Sequence, residues 1–401
     1  MPLPSRRAFL AGGALTLLSG LYVSDRGLRF PRLTLSPHAR DELIELPGVS
    51  VKAAGAIPTP AAAHQFRAIQ PEPSLELVLT RTQLELTVSN ISTQAQLRVE
   101  QGFIGTLDEH INGLNRTVSI ESAGAQPLQL EWHLPNNNAY KVAAIGDTGG
   151  GDELKWCLSK AYREDADFFF HLGDFNYGAG EYDNAIRLFD ESLIPTYISI
   201  GNHDFNDGGL LFEHFLNRLG RFNHRFTLAG TEFINFDTAA DFLPIRGGQR
   251  GEFFRKLSNA SGPRLAFTHR PLEDIRPNKD HALGSEAETQ WIKNVLQTQG
   301  VSDYIAGHVH KSGETEIENL RQWTVGEGLG YEDLVSRSPI SKFLMIDVSP
   351  NEQPVLTWTD LDMPWHYHTS HKHLQKLKKE QSAEAVEWYQ QLRRGFEHSQ
   401  T

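Results

Sequence analysis

The sequence predicts an α/β protein: a small all-β region over residues 29–138, followed at 139–360 by a larger domain of buried strands flanked by helices. Three observations predict it. In the first region, residues 74–79, 83–88, 95–99 and 128–132 largely alternate apolar with polar side chains. A period of two marks half-buried antiparallel strands, here of a sandwich-like domain. In the second region, the runs at 142–145, 168–170, 197–200 and 304–306 are short and apolar. These read as buried strands, and each leads into a Gly at which the backbone can turn sharply. Finally, residues 153–158 read as a helix after the first of those strands, with Cys157 as a small buried residue.

Taken in chain order, residues 1–28 read as an export signal. Arg6 and Arg7, followed by Ala8-Phe9-Leu10, precede the apolar stretch 11–23, and no acidic residue occurs before Asp25. This is the twin-arginine pattern, and it makes the export machinery for folded proteins a partner. The expected location is the periplasm or the outside of a bacterial cell. The apolar stretch is shorter than the ~20 residues of a membrane span. No clean Ala-x-Ala cleavage site follows it, so an uncleaved, membrane-tethered form is a second expectation.

Residues 53–63, rich in Ala and Pro, read as a loop or linker, and Pro135-Asn136-Asn137-Asn138 marks a boundary. Residues 343–348 and 354–358 read as closing strands of the larger domain. The remainder, 361–401, holds a His-rich segment around Trp365-His366-Tyr367-His368 and a charged, helix-favouring tail. An exposed His-rich stretch without carboxylates is more often adventitious than a metal site, so it stays outside the candidate site.

Composition sets bounds. With 401 residues, 39% of them hydrophobic, the chain can bury a large core and form two domains. The single Cys excludes an intramolecular disulfide, so extracytoplasmic stability cannot rest on cross-links. A net charge of -12 argues against nucleic acid, because a polyanion would be repelled.

Five segments carry the chemistry: Gly146-Asp147-Thr148-Gly149, Gly173-Asp174-Phe175-Asn176-Tyr177, Gly201-Asn202-His203-Asp204, His269-Arg270-Pro271 and Gly307-His308-Val309-His310. All but the fourth begin with Gly behind an apolar run. If the strands share one sheet, the segments converge at its C-terminal edge, where open α/β sheets place ligands. Carboxylate, phenolate, amide oxygen and imidazole hold hard or borderline cations without thiolates, which points to iron, manganese or zinc. Taken singly, a Gly-Asp turn, a Tyr after it or one His has an ordinary structural explanation. Five such segments in one order do not.

The constellation resembles the calcineurin-like metallophosphoesterases, over roughly residues 141–330. That family places an Asp after the first strand, Gly-Asp after the second, then Gly-Asn-His-Asp/Glu, a lone His and Gly-His-x-His. Its first motif commonly runs Asp-x-His, whereas Asp147 is followed by Thr148 and Gly149, and a Tyr lies three residues after Asp174. That exchange is what purple acid phosphatases show. The resemblance implies a β-sandwich core flanked by helices, with Asp147, Asp174, Tyr177 and His310 on Fe(III). Asp174, Asn202, His269 and His308 would hold a divalent Fe, Zn or Mn, with Asp174 bridging. It gives His203 and, by position, His281 phosphate-binding or acid roles. The implied reaction is hydrolysis of a phosphate monoester to an alcohol and inorganic phosphate at mildly acidic pH, with hydroxide as the nucleophile and no covalent phosphoenzyme. Two other readings remain: an exported phosphodiesterase with the same metals, and a non-enzymatic binding protein on this fold.

Overall fold

The structure is a computed structural model that describes residues 43–361, except 61–62, 100–102, 125, 136–137, 206–211, 240–244, 247–248, 257–261, 278–280, 330–340 and 351. The expected export signal, the His-rich segment and the C-terminal helix lie outside the described residues.

Ten strands come first: β1 (Ile44–Leu46), β2 (Val49–Ala54), β3 (Ala56–Pro58), β4 (Gln65–Ala68), β5 (Ser74–Leu79), β6 (Gln83–Ser89), β7 (Gln96–Val99), β8 (Gly105–Asn112), β9 (Asn115–Ser122) and β10 (Pro127–His133). They form two five-stranded sheets, ordered β1-β2-β5-β10-β7 and β3-β4-β6-β9-β8. The alternation seen in the sequence is the alternation of burial: Leu75, Leu77 and Leu79 point inward from β5, and Leu84, Leu86 and Val88 from β6. The first half of the loop expected at 53–63 is instead strand. β2 runs to Ala54 and β3 starts at Ala56, with Gly55 at φ 71° making the bend from one sheet to the other. Ala53, Ala56 and Ile57 are buried in the core, and so short a run of mostly Ala, interrupted by Gly55, gives no periodic signal.

The second region opens with β11 (Tyr140–Ile145) and continues with helix α1 (Asp152–Arg163), β12 (Phe168–His171), α2 (Glu181–Asp190), β13 (Thr196–Ile198) and α3 (Phe212–Arg218). Then follow β14 (His224–Leu228), β15 (Thr231–Asn235), α4 (Gln249–Arg255), β16 (Arg264–Thr268), α5 (Glu286–Thr298), β17 (Asp303–Ala306), β18 (Ser312–Ile317), β19 (Leu320–Val325), β20 (Lys342–Val348) and β21 (Val355–Asp360). One sheet has the order β13-β12-β11-β20-β21 and the other β14-β15-β16-β17-β19-β18. β11, β12 and β13 are mutually parallel, as are β15, β16, β17 and β19. The expected closing strands, β20 and β21, add antiparallel at the edge of the first sheet. Phe170 of one sheet stacks on Phe267 of the other with ring centroids 4.2 Å apart, and Trp323 meets Trp358 at 5.3 Å. These aromatic pairs bond the two sheets.

Helix α1 turns Leu154, Cys157, Leu158 and Ala161 inward, a spacing that keeps them on one face, and its acidic first turn and basic last turn suit the helix dipole. Helix α5 begins with a side-chain cap, Ser285 accepting from the Glu288 amide.

The motif-bearing strands do not share one sheet. Three belong to the first sheet and two to the second, and the fourth motif also ends a buried strand, β16. The two sheets face each other, so their parallel strands deliver the five loops to one rim. Across the region boundary the apolar core is continuous: Leu77 and Trp132 belong to the same buried cluster as Phe169 and Ile145. Asn90 fastens the seam, donating to the Ala68 and Thr196 carbonyls at 2.8 and 2.9 Å and accepting from the Thr196 amide at 2.8 Å.

Candidate metal centre

At the end of β11 the chain enters the left-handed region at Asp147 (φ 61°), and after β12 it does so at Gly173 (φ 92°) and Asp174 (φ 60°). Close loop packing is the reason for the glycines: a Cβ on Gly201 would run into the Asp174 amide and carboxylate. The loops lock each other. The Asp147 amide donates to the Gly173 carbonyl at 2.9 Å, and the His308 amide to Asp147 Oδ2 at 2.7 Å.

Two donor sets result, Asp147 with Asp174 and His310, and Asp174 with His269 and His308, and within each set the ligand atoms lie within 4.8 Å of one another. Asp174 belongs to both. Tyr177 joins the first set, its hydroxyl 3.3 Å from both Asp147 Oδ1 and Asp174 Oδ2 and 3.0 Å from His310 Nε2. Asn202 joins the second, with Oδ1 3.0 Å from His269 Nε2. His269 Nδ1 faces the Leu172 carbonyl at 2.8 Å. Donation there leaves Nε2 toward the cluster, the usual orientation of a metal-binding imidazole.

Electrostatics ask for cations. Asp147 and Asp174 are buried, and buried carboxylates need compensation. Burial pushes the Asp147 carboxyl up. At Asp174 burial is outweighed by His269, 3.4 Å away, which holds its carboxyl below the ordinary range. Burial works against a proton on His269 too, but Asp174 raises it to about 9. Burial and the neighbouring His269 push His308 down, so it stays neutral. Burial, then Asp147 and Asp174, drive the Tyr177 phenol well above its usual value. A buried set of oxygen and imidazole donors around one shared carboxylate fits two hard or borderline metal ions.

Residues 140–312 match the model of the calcineurin-like phosphoesterase family. The chain carries a calcineurin-like phosphoesterase domain. Its architecture is similar to that of purple acid phosphatase PPD1 from yellow lupin seeds, at 11% identity over 79% of this chain and 73% of that one, with a TM-score of 0.45. A dimetal phosphatase from Danio rerio is 14% identical over 55% of this chain and 96% of its own, with a TM-score of 0.41. GAP50, the anchor in the inner membrane complex of Plasmodium, is 14% identical over 56% and 85%, with a TM-score of 0.42. No curated protein matches the chain.

The seven residues read from the sequence as ligands meet in this cluster, and the other two stand at its rim. The His203 ring lies 4.6 Å from that of Tyr177, and its amide donates to Asp174 Oδ1 at 2.8 Å. His281, exposed, has its ring 5.9 Å from that of His308, and its amide is held by Asp274.

Sequence reasoning missed the supports. Asp204, fully buried, accepts from the amides of Gly201 at 2.7 Å and of Asp174 and Phe175 at 3.0 Å, tying the second loop to the third. His171, kept neutral by a burial that lowers it to about 3, pairs with Thr148 Oγ1 at 2.8 Å. Glu181 at the start of α2 accepts from the Tyr177 amide at 2.6 Å. Arg270 brings its guanidinium within 2.9 Å of His308 Nε2. Asp204 and Arg270 lay inside the motifs, whereas His171 and Glu181 carry no pattern that marks them.

Proposed function

We propose that this chain is a two-metal phosphatase that hydrolyses phosphate monoesters to an alcohol and inorganic phosphate at an iron-containing centre of the purple acid phosphatase kind. The observation that carries the reading is the pair of donor sets sharing Asp174, one of them completed by Tyr177. Asp147, Asp174, Tyr177 and His310 would hold Fe(III), and Asp174, Asn202, His269 and His308 a divalent Fe, Zn or Mn. Ferric iron suits the first set because a phenol held so far above its usual range would release its proton to solvent only where a strongly acidic cation took the proton's place. Such a pair of ions supplies an activated water and neutralises charge on the ester's oxygens.

The chain's own residues do the rest. Arg270, beside His308, offers a planar pair of donors to a phosphate oxygen. His203, whose imidazole stands against Tyr177, is placed to hand a proton to the departing alkoxide, and His281 closes the opposite side beside His308. Three cationic or protonatable groups around one phosphate favour a dianionic monoester over a diester. The twin-arginine signal read at Arg6 and Arg7 would carry the folded, loaded enzyme out of the cytoplasm.

The test is a visible absorption spectrum and metal analysis of the purified protein and its Tyr177→Phe variant, with kcat/KM for a monoester and a diester. A purple or pink band that vanishes in the variant, together with faster monoester turnover, is expected. A colourless, fully metallated wild type, or a preference for the diester, would return the chain to the exported phosphodiesterases. Arg6→Lys/Arg7→Lys is expected to retain the protein in the cytoplasm, and export of that variant would sink the localisation.

A further inference from the structure

Away from the metal centre, a cavity of ≈ 210 Å³ opens where the N-terminal sandwich meets α2 and α3. Arg67 of β4, Asp190 at the end of α2 and Arg218 at the end of α3 line it, with Gln65, Ser89 and Asn115. Arg67 is 1% exposed, and its guanidinium donates to Asp190 Oδ1 and to Thr196 Oγ1, each at 2.6 Å. Its Nε is buried and has no hydrogen-bond partner among the described residues. Arg218 reaches the same carboxylate at 3.5 Å and is 34% exposed, so the cavity has a charged mouth to solvent.

Two guanidinium groups against one carboxylate leave one positive charge, in a space whose other polar walls are neutral. Asp190 is 44% exposed and so compensates a buried cation poorly. Burial lowers the Arg67 guanidinium from its ordinary range, and Asp190 only partly offsets this. The volume lies below the ~300–1,000 Å³ of pockets for drug-sized ligands, yet far above what one water requires. An ester with a large organic group does not fit it; a small oxyanion does.

We propose that this cavity binds a small tetrahedral oxyanion, inorganic phosphate being the probe of choice, at a site separate from the metal centre. The buried Arg67 is its fixed anchor and Arg218 the group at its entrance. Gln65, Ser89 and Asn115 supply neutral hydrogen bonds.

Isothermal titration of the full-length, metal-loaded protein with inorganic phosphate tests the site, with sulfate and acetate as comparison ligands. The wild type is expected to show two binding events per chain. In Arg218→Gln one of them weakens by about tenfold, the effect of losing one charged hydrogen bond. Arg218→Lys restores most of it, and phosphate inhibits hydrolysis equally in all three proteins. Sulfate should compete for this event and acetate should not; stronger acetate binding would replace the tetrahedral ligand by a carboxylate and overturn the proposal as stated. The absence of any event that Arg218→Gln weakens, whether one event is seen or two, would overturn it outright. If the enzyme reading fails, no inhibition is measurable, yet the Arg218-sensitive event remains.

Discussion

Strand β5 of the N-terminal sandwich buries Leu75, Leu77 and Leu79 and exposes Glu76 and Val78, whereas strand β12 of the phosphoesterase domain buries Phe168, Phe169, Phe170 and His171 alike. Both regions are pairs of packed sheets. The first is almost wholly antiparallel, and among the described residues it buries two guanidinium groups, Arg67 and Arg116, but no carboxylate. The second is covered by helices, and its parallel strands all end on the same side, so buried carboxylates and imidazoles collect at one rim. Strand direction thus decides where a sandwich can gather carboxylates and imidazoles into one cluster, and metal ions would make that charge tolerable.

The comparison breaks most visibly at Asp174. Asp174→Asn removes the one carboxylate common to both donor sets, and kcat/KM for a monoester is expected to fall by about a thousandfold, with loss of metal measured on the same sample. Retention of both metals and of turnover would mean that the donor sets are not a metal centre.

Leu77→Ala is the counterpart in the other sandwich. Leu77 is buried in the continuous core, so truncation is expected to cost about 2–5 kcal/mol of unfolding free energy in denaturant titration, with kcat at 25 °C unchanged. A parallel drop in kcat would show that the shared core transmits strain to the rim.

A pH titration of the metal-stripped protein sharpens the contrast. His269 is raised from an ordinary 6.5 to about 9, chiefly because Asp174 overcomes the effect of burial. A raised folded-state value stabilises below the unfolded one and loses that stabilisation as pH climbs through the folded one. The melting temperature should therefore fall between about pH 6.5 and 9. Metal uptake should strengthen over the same interval, because the ligand imidazole has to be deprotonated. A flat melting profile across it would separate His269 from Asp174.

How much of this was legible follows from the same contrast. Period-two strands such as β5 and β6 announced themselves because one face is wet. The clustering of the candidate ligands was legible because Gly turns mark four of the five loops and the residue types are distinctive. The partition of the motifs between two sheets was not, since a buried strand such as Phe168–His171 or Arg264–Thr268 carries no mark of its neighbour. Strand β3 read as linker because Ala and Pro give no alternation. His171, Asp204 and Glu181 work by holding backbone amides or hydroxyls across loops, and that depends on tertiary geometry alone. Glu181 can be tested directly: Glu181→Ala frees the Tyr177 amide and is expected to lower kcat about tenfold while both metals stay bound.

The smallest effect is expected where a charge pair lies outside, at Lys52 and Glu76 on adjacent strands of the N-terminal sandwich. Their charged atoms are 3.4 Å apart, with side chains 40% and 57% exposed. Solvent and salt screen such a pair, and ordering two flexible side chains offsets much of its attraction, so Lys52→Ala should change stability by less than about 1 kcal/mol. Turnover should not move at all. A loss approaching that of Leu77→Ala would show that the outer face of this sandwich is not free in solution, since only burial against another surface raises an ion pair of this kind to that magnitude.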